Sequence, residues 1–282
     1  MPELPEVQAI KNQLNKYLQN HIVESVEVKN RRIFQGDEKV LVGAQFKIAR
    51  RFGKVTSMDF DNGYSVVTHV KMTGQFVYRG PNLKNPAPLS PKVAGGVPGP
   101  HTHVIFTLNN GGKLYFNDLR RFAWMKVVQT AEVENLDFIK KLGPEPFKDL
   151  TKQVFKEIVL KNKRAIKVIL MDQSKMGGIG NIYANDALFL AKIMPERKAN
   201  TLTESETEKL YDAIIKVLET GIKQGGASEN AFVTPDGTEG NYQDHSLVYA
   251  RASQACQNKC GAKIKKIMLG GRGTFYCPNC QK

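Results

Sequence analysis

The chain has 282 residues, enough for roughly two domains, and 41% of them are hydrophobic, so it can bury real cores. Lys and Arg number 41 against 27 Asp and Glu, and the net charge of +14 favours a polyanionic partner, nucleic acid ahead of a membrane surface. No stretch approaches the eighteen or so apolar residues of a membrane span, and the N-terminus lacks a basic-then-apolar leader, so a cytosolic protein is expected.

The first segment reads Pro2-Glu3-Leu4-Pro5-Glu6-Val7. Leu4, Val7, Ile10, Leu14 and Leu18 recur at three- and four-residue spacing and predict an amphipathic helix. Two readings of its start stand side by side. Pro followed by Glu is ordinary helix capping. Alternatively, removal of Met1 leaves Pro2 as a secondary amine titrating at about 8, a nucleophile at neutral pH. Its attack on a sugar aldehyde carbon gives an iminium, an electron sink, and Glu3 stands beside it to move protons.

From about 22 to 128 the pattern is β, with short alternating runs at 22–28, 64–67, 103–106 and 113–116. Asp61-Asn62-Gly63 and Asn109-Asn110-Gly111-Gly112 mark hairpins, and the spacing predicts a sandwich or barrel. Residues 81–100 hold six of the 13 prolines and read as a mobile surface loop. Within the β region, Lys54 follows a glycine in a basic hairpin. Met72 reads as a core filler. Asn117-Asp118-Leu119-Arg120-Arg121-Phe122 sets cations and an aromatic at a strand end, either a packed Phe with surface charge or a wedge for a base stack.

Composition shifts at 131–147, where Leu142-Gly143-Pro144-Glu145-Pro146-Phe147 reads as a linker. Helices are expected around Phe155–Val159, Ile166–Leu170 and Ala184–Ala191, and from about 203 to 223 with Thr203 and Glu206 as a capping box. Between them, Met176-Gly177-Gly178-Ile179-Gly180-Asn181 is either a simple inter-helix turn or an anion site at a helix start, with Asn181 adding a donor. It lacks the Lys-Ser/Thr of a nucleotide-binding loop. Residues 225–244 are Gly-rich and aperiodic, a loop.

All four cysteines lie in the last 27 residues, as Cys256-x3-Cys260 and Cys277-x2-Cys280. Two close pairs can set four thiolates around one structural Zn²⁺. Between them, Gly270-Gly271-Arg272-Gly273 is a tight turn. It presents Arg272 either as part of a solvated basic face or to a phosphate.

In this order the motifs resemble the formamidopyrimidine-DNA glycosylase family. The most specific are Pro2–Glu6, Gly178-Ile179-Gly180-Asn181-Ile182-Tyr183-Ala184 and Gly271–Pro278, with Leu142–Pro146 and Val248–Arg251 in agreement. The resemblance implies an α+β multidomain protein. A β-sandwich with an N-terminal helix would span 1–130, a linker 131–147, a helix–two-turns–helix domain 148–250 with a lesion loop at 225–244, and a zinc finger 251–282. It further implies double-stranded DNA with oxidised or abasic sites as partner, bound across a cleft by a monomer. Pro2 would attack C1′, Glu3 would shuttle protons and Lys54 would assist at the lesion. Asn181 and Arg272 would hold the flanking phosphates. Met72, Arg120 and Phe122 would fill the gap left by the everted base, since a stacked C1′ is out of reach.

Three departures stand out. The first cysteine pair has one residue more than the usual spacing. The loop that covers the everted base reads Gly225-Gly226-Ala227-Ser228-Glu229-Asn230, with an acid beside a position that is often basic. Asp186 stands for a frequent Glu, a change expected to matter little. Leu4 favours the oxidised-purine branch over endonuclease VIII, whose pyrimidine lesions form the alternative. Intact Pro2, Glu3 and Lys54 argue against a non-catalytic damaged-DNA binder.

Overall fold

The computed structural model describes residues 1–84 and 86–282. The chain divides into two compact units, Met1–Lys140 with Ile222–Gln243, and Lys141–Gly221 with Asp244–Lys282.

The first unit opens with α1 (Leu4–Leu18), the helix expected from its apolar spacing. Its buried stripe of Ile10, Leu14, Tyr17 and Leu18 joins the main core. Nine strands follow among the described residues: β1 (Val23–Val28), β2 (Phe34–Gln35), β3 (Phe46–Phe52), β4 (Val55–Phe60), β5 (Tyr64–His69), β6 (Gly74–Arg79), β7 (Thr102–Leu108), β8 (Lys113–Asp118) and β9 (Trp124–Gln129). They form a four-stranded sheet in the order β1-β7-β8-β6 and a five-stranded sheet in the order β2-β9-β5-β4-β3. The short β2–β9 pairing is parallel and the longer pairings are antiparallel. Both expected hairpin turns form, with Gly63 and Gly111 at positive φ.

Side chains alternate across each strand, and the alternation assigns the two faces of the four-stranded sheet. Phe76, Tyr78, Val104, Phe106, Leu114 and Phe116 point into the main core, where Phe46, Met58, Val66 and Met125 of the other sheet meet them. The intervening Val77, Ile105 and Tyr115 lie on the opposite face, in a second small core with Val93 and Val233. The described residues of 81–100 form a largely exposed loop without helix or strand, as expected, but that second core holds part of it against the sheet. Leu89, Val93 and Val97 cover the sheet, and Ser90 N–H donates to the Gly237 carbonyl at 2.9 Å. Asn85, inside this segment, lies outside the described residues.

Residues 131–147 also carry more structure than a linker. A 3-10 turn at Thr130–Asn135 and a short helix, α2 (Asp137–Lys140), bury Val133 and Ile139. Ile222–Gln243 groups with the first unit because Phe232 enters the main core and Val233 the second one.

The second unit holds α3 (Lys152–Leu160), α4 (Ile166–Met171), α5 (Asn181–Leu190) and most of α6 (Glu204–Lys223). The capping box at α6 is present. Glu206 accepts from Thr203 N–H at 2.8 Å, and Thr203 Oγ1 accepts from Glu206 N–H at 3.2 Å. A hydrogen-bonded Arg197 guanidinium then holds the Glu206 carboxyl down at about 2. The unit ends in a hairpin of β10 (Lys265–Leu269) and β11 (Arg272–Tyr276) flanked by the cysteines. Among the described residues no helix is long and apolar enough to cross a membrane.

Candidate nucleic-acid interface

In the first unit the nucleophile candidate sits at a fixed helix start. Pro2 and Glu3 are buried. Glu3 N–H donates to Glu6 Oε2 at 2.7 Å, so the first turn of α1 fixes the backbone beside Pro2. Met1 precedes Pro2, and its removal would convert the Pro2 nitrogen from an amide into an amine. Lys54 follows Gly53, at positive φ in the β3–β4 turn, and is only 6% exposed. A buried lysine on a tight turn has its ammonium confined, unlike the free end of a surface lysine.

His69 ends β5 near Lys54. Burial, with the charges of Lys71 and Lys54, pushes its imidazole down to about 3, so the ring is neutral at physiological pH. Its Nδ1 accepts from Lys71 N–H at 3.0 Å, which leaves the ring proton on Nε2 as a donor.

Met72, Arg120 and Phe122 come from two turns stitched together by one carboxylate. Thr73 Oγ1, next to Met72, donates to Asp118 Oδ1. Arg120 N–H donates to Thr73 Oγ1 at 3.1 Å, and Ala123 N–H to Asp118 Oδ2 at 2.8 Å. Asp118 is wholly buried, whereas Phe122 is 59% exposed with the Arg120 guanidinium 4.8 Å from its ring centroid. Phe122 is therefore not a packed aromatic, and Met72 is half-buried rather than a core filler. Arg120, Arg121 and Phe122 line a cavity of about 760 Å³ with Lys29, Arg32 and His103, a basic depression suited to a polyanion.

The second unit ties Asn181 to the hairpin that carries Arg272. Gly270 and Gly271 both have positive φ, the two-residue turn that a twisted hairpin prefers, and Arg272 opens β11 beside it, exposed. The Gly273 carbonyl accepts from Asn181 Nδ2 at 3.1 Å and from Lys167 Nζ at 3.2 Å. Asn185, one turn along α5 and wholly buried, accepts from Phe275 N–H at 2.7 Å. The start of α5, with its first-turn amides, is thus fastened to the Arg272 hairpin.

The four cysteines meet the geometric demands of one metal ion. Their sulfurs all lie within 4.8 Å of one another, with Cys256–Cys280 at 3.7 Å and Cys260–Cys277 at 3.4 Å. A tetrahedron with zinc–sulfur bonds of about 2.3 Å has edges of about 3.8 Å, whereas a disulfide needs about 2.05 Å. Burial, with the other three thiols beside it, pushes the Cys256 thiol up to about 12, the penalty that a bound cation removes. The extra residue of the first pair is absorbed in a turn. Lys259 N–H donates to the Cys256 carbonyl at 3.0 Å, with Lys259 at positive φ. The residues fit one structural Zn²⁺.

Sequence reading missed Glu6, Asp118, Lys167 and Asn185, all buried polar groups that hold the named residues in place. A signal existed for one of them: Asn185 and Asp186 interrupt an otherwise apolar run, Ile182–Phe189. Asp186 accepts at 2.9–3.2 Å from three backbone N–H groups and the Ser246 hydroxyl, so aspartate is long enough for the task.

Comparison with known proteins accounts for most of the chain. Residues 1–125 match the model of the formamidopyrimidine-DNA glycosylase N-terminal domain, 142–232 that of its H2TH domain, and 253–282 a zinc finger found in FPG and IleRS. A formamidopyrimidine-DNA glycosylase of Pelotomaculum thermopropionicum is 38% identical, covering 100% of this chain and 99% of that protein. The wild-type Lactococcus lactis Fpg bound to a DNA containing N7-benzyl-Fapy-dG is 32% identical, with a TM-score of 0.86 over 100% of both chains. The same Lactococcus protein with an oxidised-pyrimidine DNA gives 0.85, again at 32% identity and full coverage of both. The chain belongs to the formamidopyrimidine-DNA glycosylase family.

Proposed function

We propose that this chain is a bifunctional base-excision repair enzyme. It removes oxidised purines, 8-oxoguanine and formamidopyrimidines, from duplex DNA and then opens the strand by β- and δ-elimination. Freed of Met1, Pro2 attacks C1′ of an everted nucleotide, and the base departs with the electrons of the glycosidic bond. Glu3 supplies and removes protons as the sugar ring opens to the Pro2 iminium. The iminium draws electrons from the neighbouring carbon, expelling the 3′ and then the 5′ phosphate and leaving a one-nucleotide gap with phosphates at both ends. Lys54 and the neutral His69 face the negative charge of the lesion strand. Met72, Arg120 and Phe122 occupy the vacated stack. Asn181 and Arg272 hold the flanking phosphates. Zinc is structural when bound and keeps the Arg272 hairpin folded.

In this reading 1–130 carries the chemistry, 131–147 connects, 148–250 and 251–282 grip the duplex, and 225–244 covers the everted base. The enzyme acts as a monomer in the cytoplasm, on nucleoid DNA. The observation that carries the reading is the buried Pro2-Glu3 pair held at the capped start of α1. Borohydride reduction during turnover tests it. A covalent enzyme–DNA species through Pro2 is expected on 8-oxoguanine, ring-opened purine and abasic duplexes, and no trapped species on any of them removes the lyase. One observation favours a second reading, action on oxidised pyrimidines: the Lactococcus relative was crystallised with such a DNA. A higher rate on thymine glycol than on 8-oxoguanine opposite cytosine would support it.

A further inference from the structure

Glu6 is 1% exposed, and each of its carboxylate oxygens has its own main-chain donor. Oε2 accepts from Glu3 N–H at 2.7 Å, and Oε1 accepts from Ala227 N–H at 2.7 Å, 221 residues away. Ala227 sits at the mouth of the 225–244 loop, whose stem is closed by Asn241 N–H on the Gln224 carbonyl (2.8 Å) and Tyr242 N–H on the Gly226 carbonyl (3.0 Å). Gly226 has φ +86, and a Cβ there would stand 2.8 Å from Glu6 Cγ and 3.1 Å from its Cα, so glycine is what lets the stem reach the carboxylate.

We propose that Glu6 is a positioning residue joining loop to nucleophile. Through one rigid carboxylate, the seating of the 225–244 loop and the placement of the backbone that carries Pro2 become a single arrangement. Two N–H donors facing two oxygens are satisfied by a carboxylate and not by an amide, which has only one acceptor. If the loop lifts, Ala227 N–H leaves Oε1, and the carboxylate that holds the Glu3 amide next to Pro2 is less firmly placed. The chemistry then runs well only with the loop seated, which links inspection of the base to attack on its sugar. The inference rests on the function proposed above.

An abasic duplex separates this coupling from simple base reading, because it offers the loop no base. Single-turnover borohydride trapping is measured on abasic and 8-oxoguanine duplexes with the full zinc-loaded chain, as wild type, Glu6→Gln and Gly226→Ala. Both variants should slow trapping on abasic DNA on the order of ten- to hundredfold, the scale of a displaced reacting group, with duplex affinity nearly unchanged. Gly226→Ala is the sharper arm: it keeps the Glu6 carboxylate and pushes the stem away from it, and it stands by itself if Glu6→Gln fails to fold. Wild-type trapping on abasic DNA by Gly226→Ala, with slowed release of 8-oxoguanine, would leave the loop as a base reader only and overturn the coupling. Wild-type rates in both variants on both duplexes would overturn it as well. Absence of trapping by the wild type would instead remove the functional reading on which the inference rests.

Discussion

Asp186→Asn is the substitution whose cost the structure sets most directly. Oδ1 accepts from Val248 and Tyr249 N–H at 2.9 and 3.0 Å, and Oδ2 from Leu247 N–H and the Ser246 hydroxyl at 3.0 and 3.2 Å. An asparagine keeps one oxygen. The Ser246 hydroxyl can turn to another acceptor, so the smallest damage is one missing backbone bond to a charged group, about 1.5–3 kcal/mol, with an amide NH₂ left facing a buried N–H. A total of about 3 kcal/mol follows, or a factor on the order of a hundred in local opening. The only tryptophan, Trp124, lies in the first unit and is blind to this site. Hydrogen exchange of the 246–251 segment is therefore the assay, and its protection should fall by that factor. Val248 packs in the cluster that holds Cys256, Cys277 and Phe275, and the Tyr249 ring meets the edge of Phe275 at 5.2 Å. Faster loss of zinc to a chelator should accompany the change. Protection within about threefold of wild type would refute the claim that this carboxylate organises the approach to the metal hairpin.

Arg272→Ala should lower DNA affinity without altering thermal stability, since Arg272 is exposed. It should also make binding less salt-dependent, by about one released ion for each phosphate that Arg272 neutralises. An unchanged slope of affinity against salt would place Arg272 away from the phosphates. Zinc removal should unfold the tail and weaken DNA binding together, and active protein without zinc on metal analysis would overturn the four-cysteine site. His69 should make stability depend on acidity. Its folded value of about 3 lies below the ordinary 6.5, so the unfolded chain takes up the proton first. The contribution is complete above pH 6.5 and is lost as pH falls from 6.5 toward 3, the loss reaching about 2.5 kcal/mol by pH 4.5. Trp124, its ring 6.1 Å from His69, reports urea unfolding of this unit. His69→Gln should lose less stability than wild type between pH 7 and 4.5, and equal losses would refute the neutral buried imidazole.

The elements legible in the sequence are those whose pattern is local. The α1 stripe, the Gly63 and Gly111 hairpins, the Thr203–Glu206 cap and the cysteine spacing each arise from residues a few positions apart, so periodicity and turn chemistry suffice to read them. In the 81–100 segment prolines and glycines mark the loop but not its packing, because the sheet face that Leu89, Val93 and Val97 cover is built by strands on either side of it in sequence. Phe122 could be read as core or wedge, because a side chain's exposure depends on what the tertiary fold leaves above it.

The 225–244 loop shows most clearly where local reading ends. Its glycines and polar residues have no period of their own, yet many groups at its base have a distant partner. Ala227 bonds to Glu6, the Ser228 and Ala231 carbonyls accept from Lys92 and Gln75, and Asp236 bonds to Gln13. Lys92 also pairs with Glu239 at 2.6 Å, and Ser90 donates to the same carboxylate at 2.6 Å. The loop's shape is thus imposed by α1, β6 and the proline-rich segment rather than by its own sequence. A departure inside it, such as the acid Glu229, changes what the tip offers while leaving the bonds of the stem untouched. Lesion preference can then vary among relatives without disturbing the placement of Pro2, provided that Gly226 and Glu6 remain.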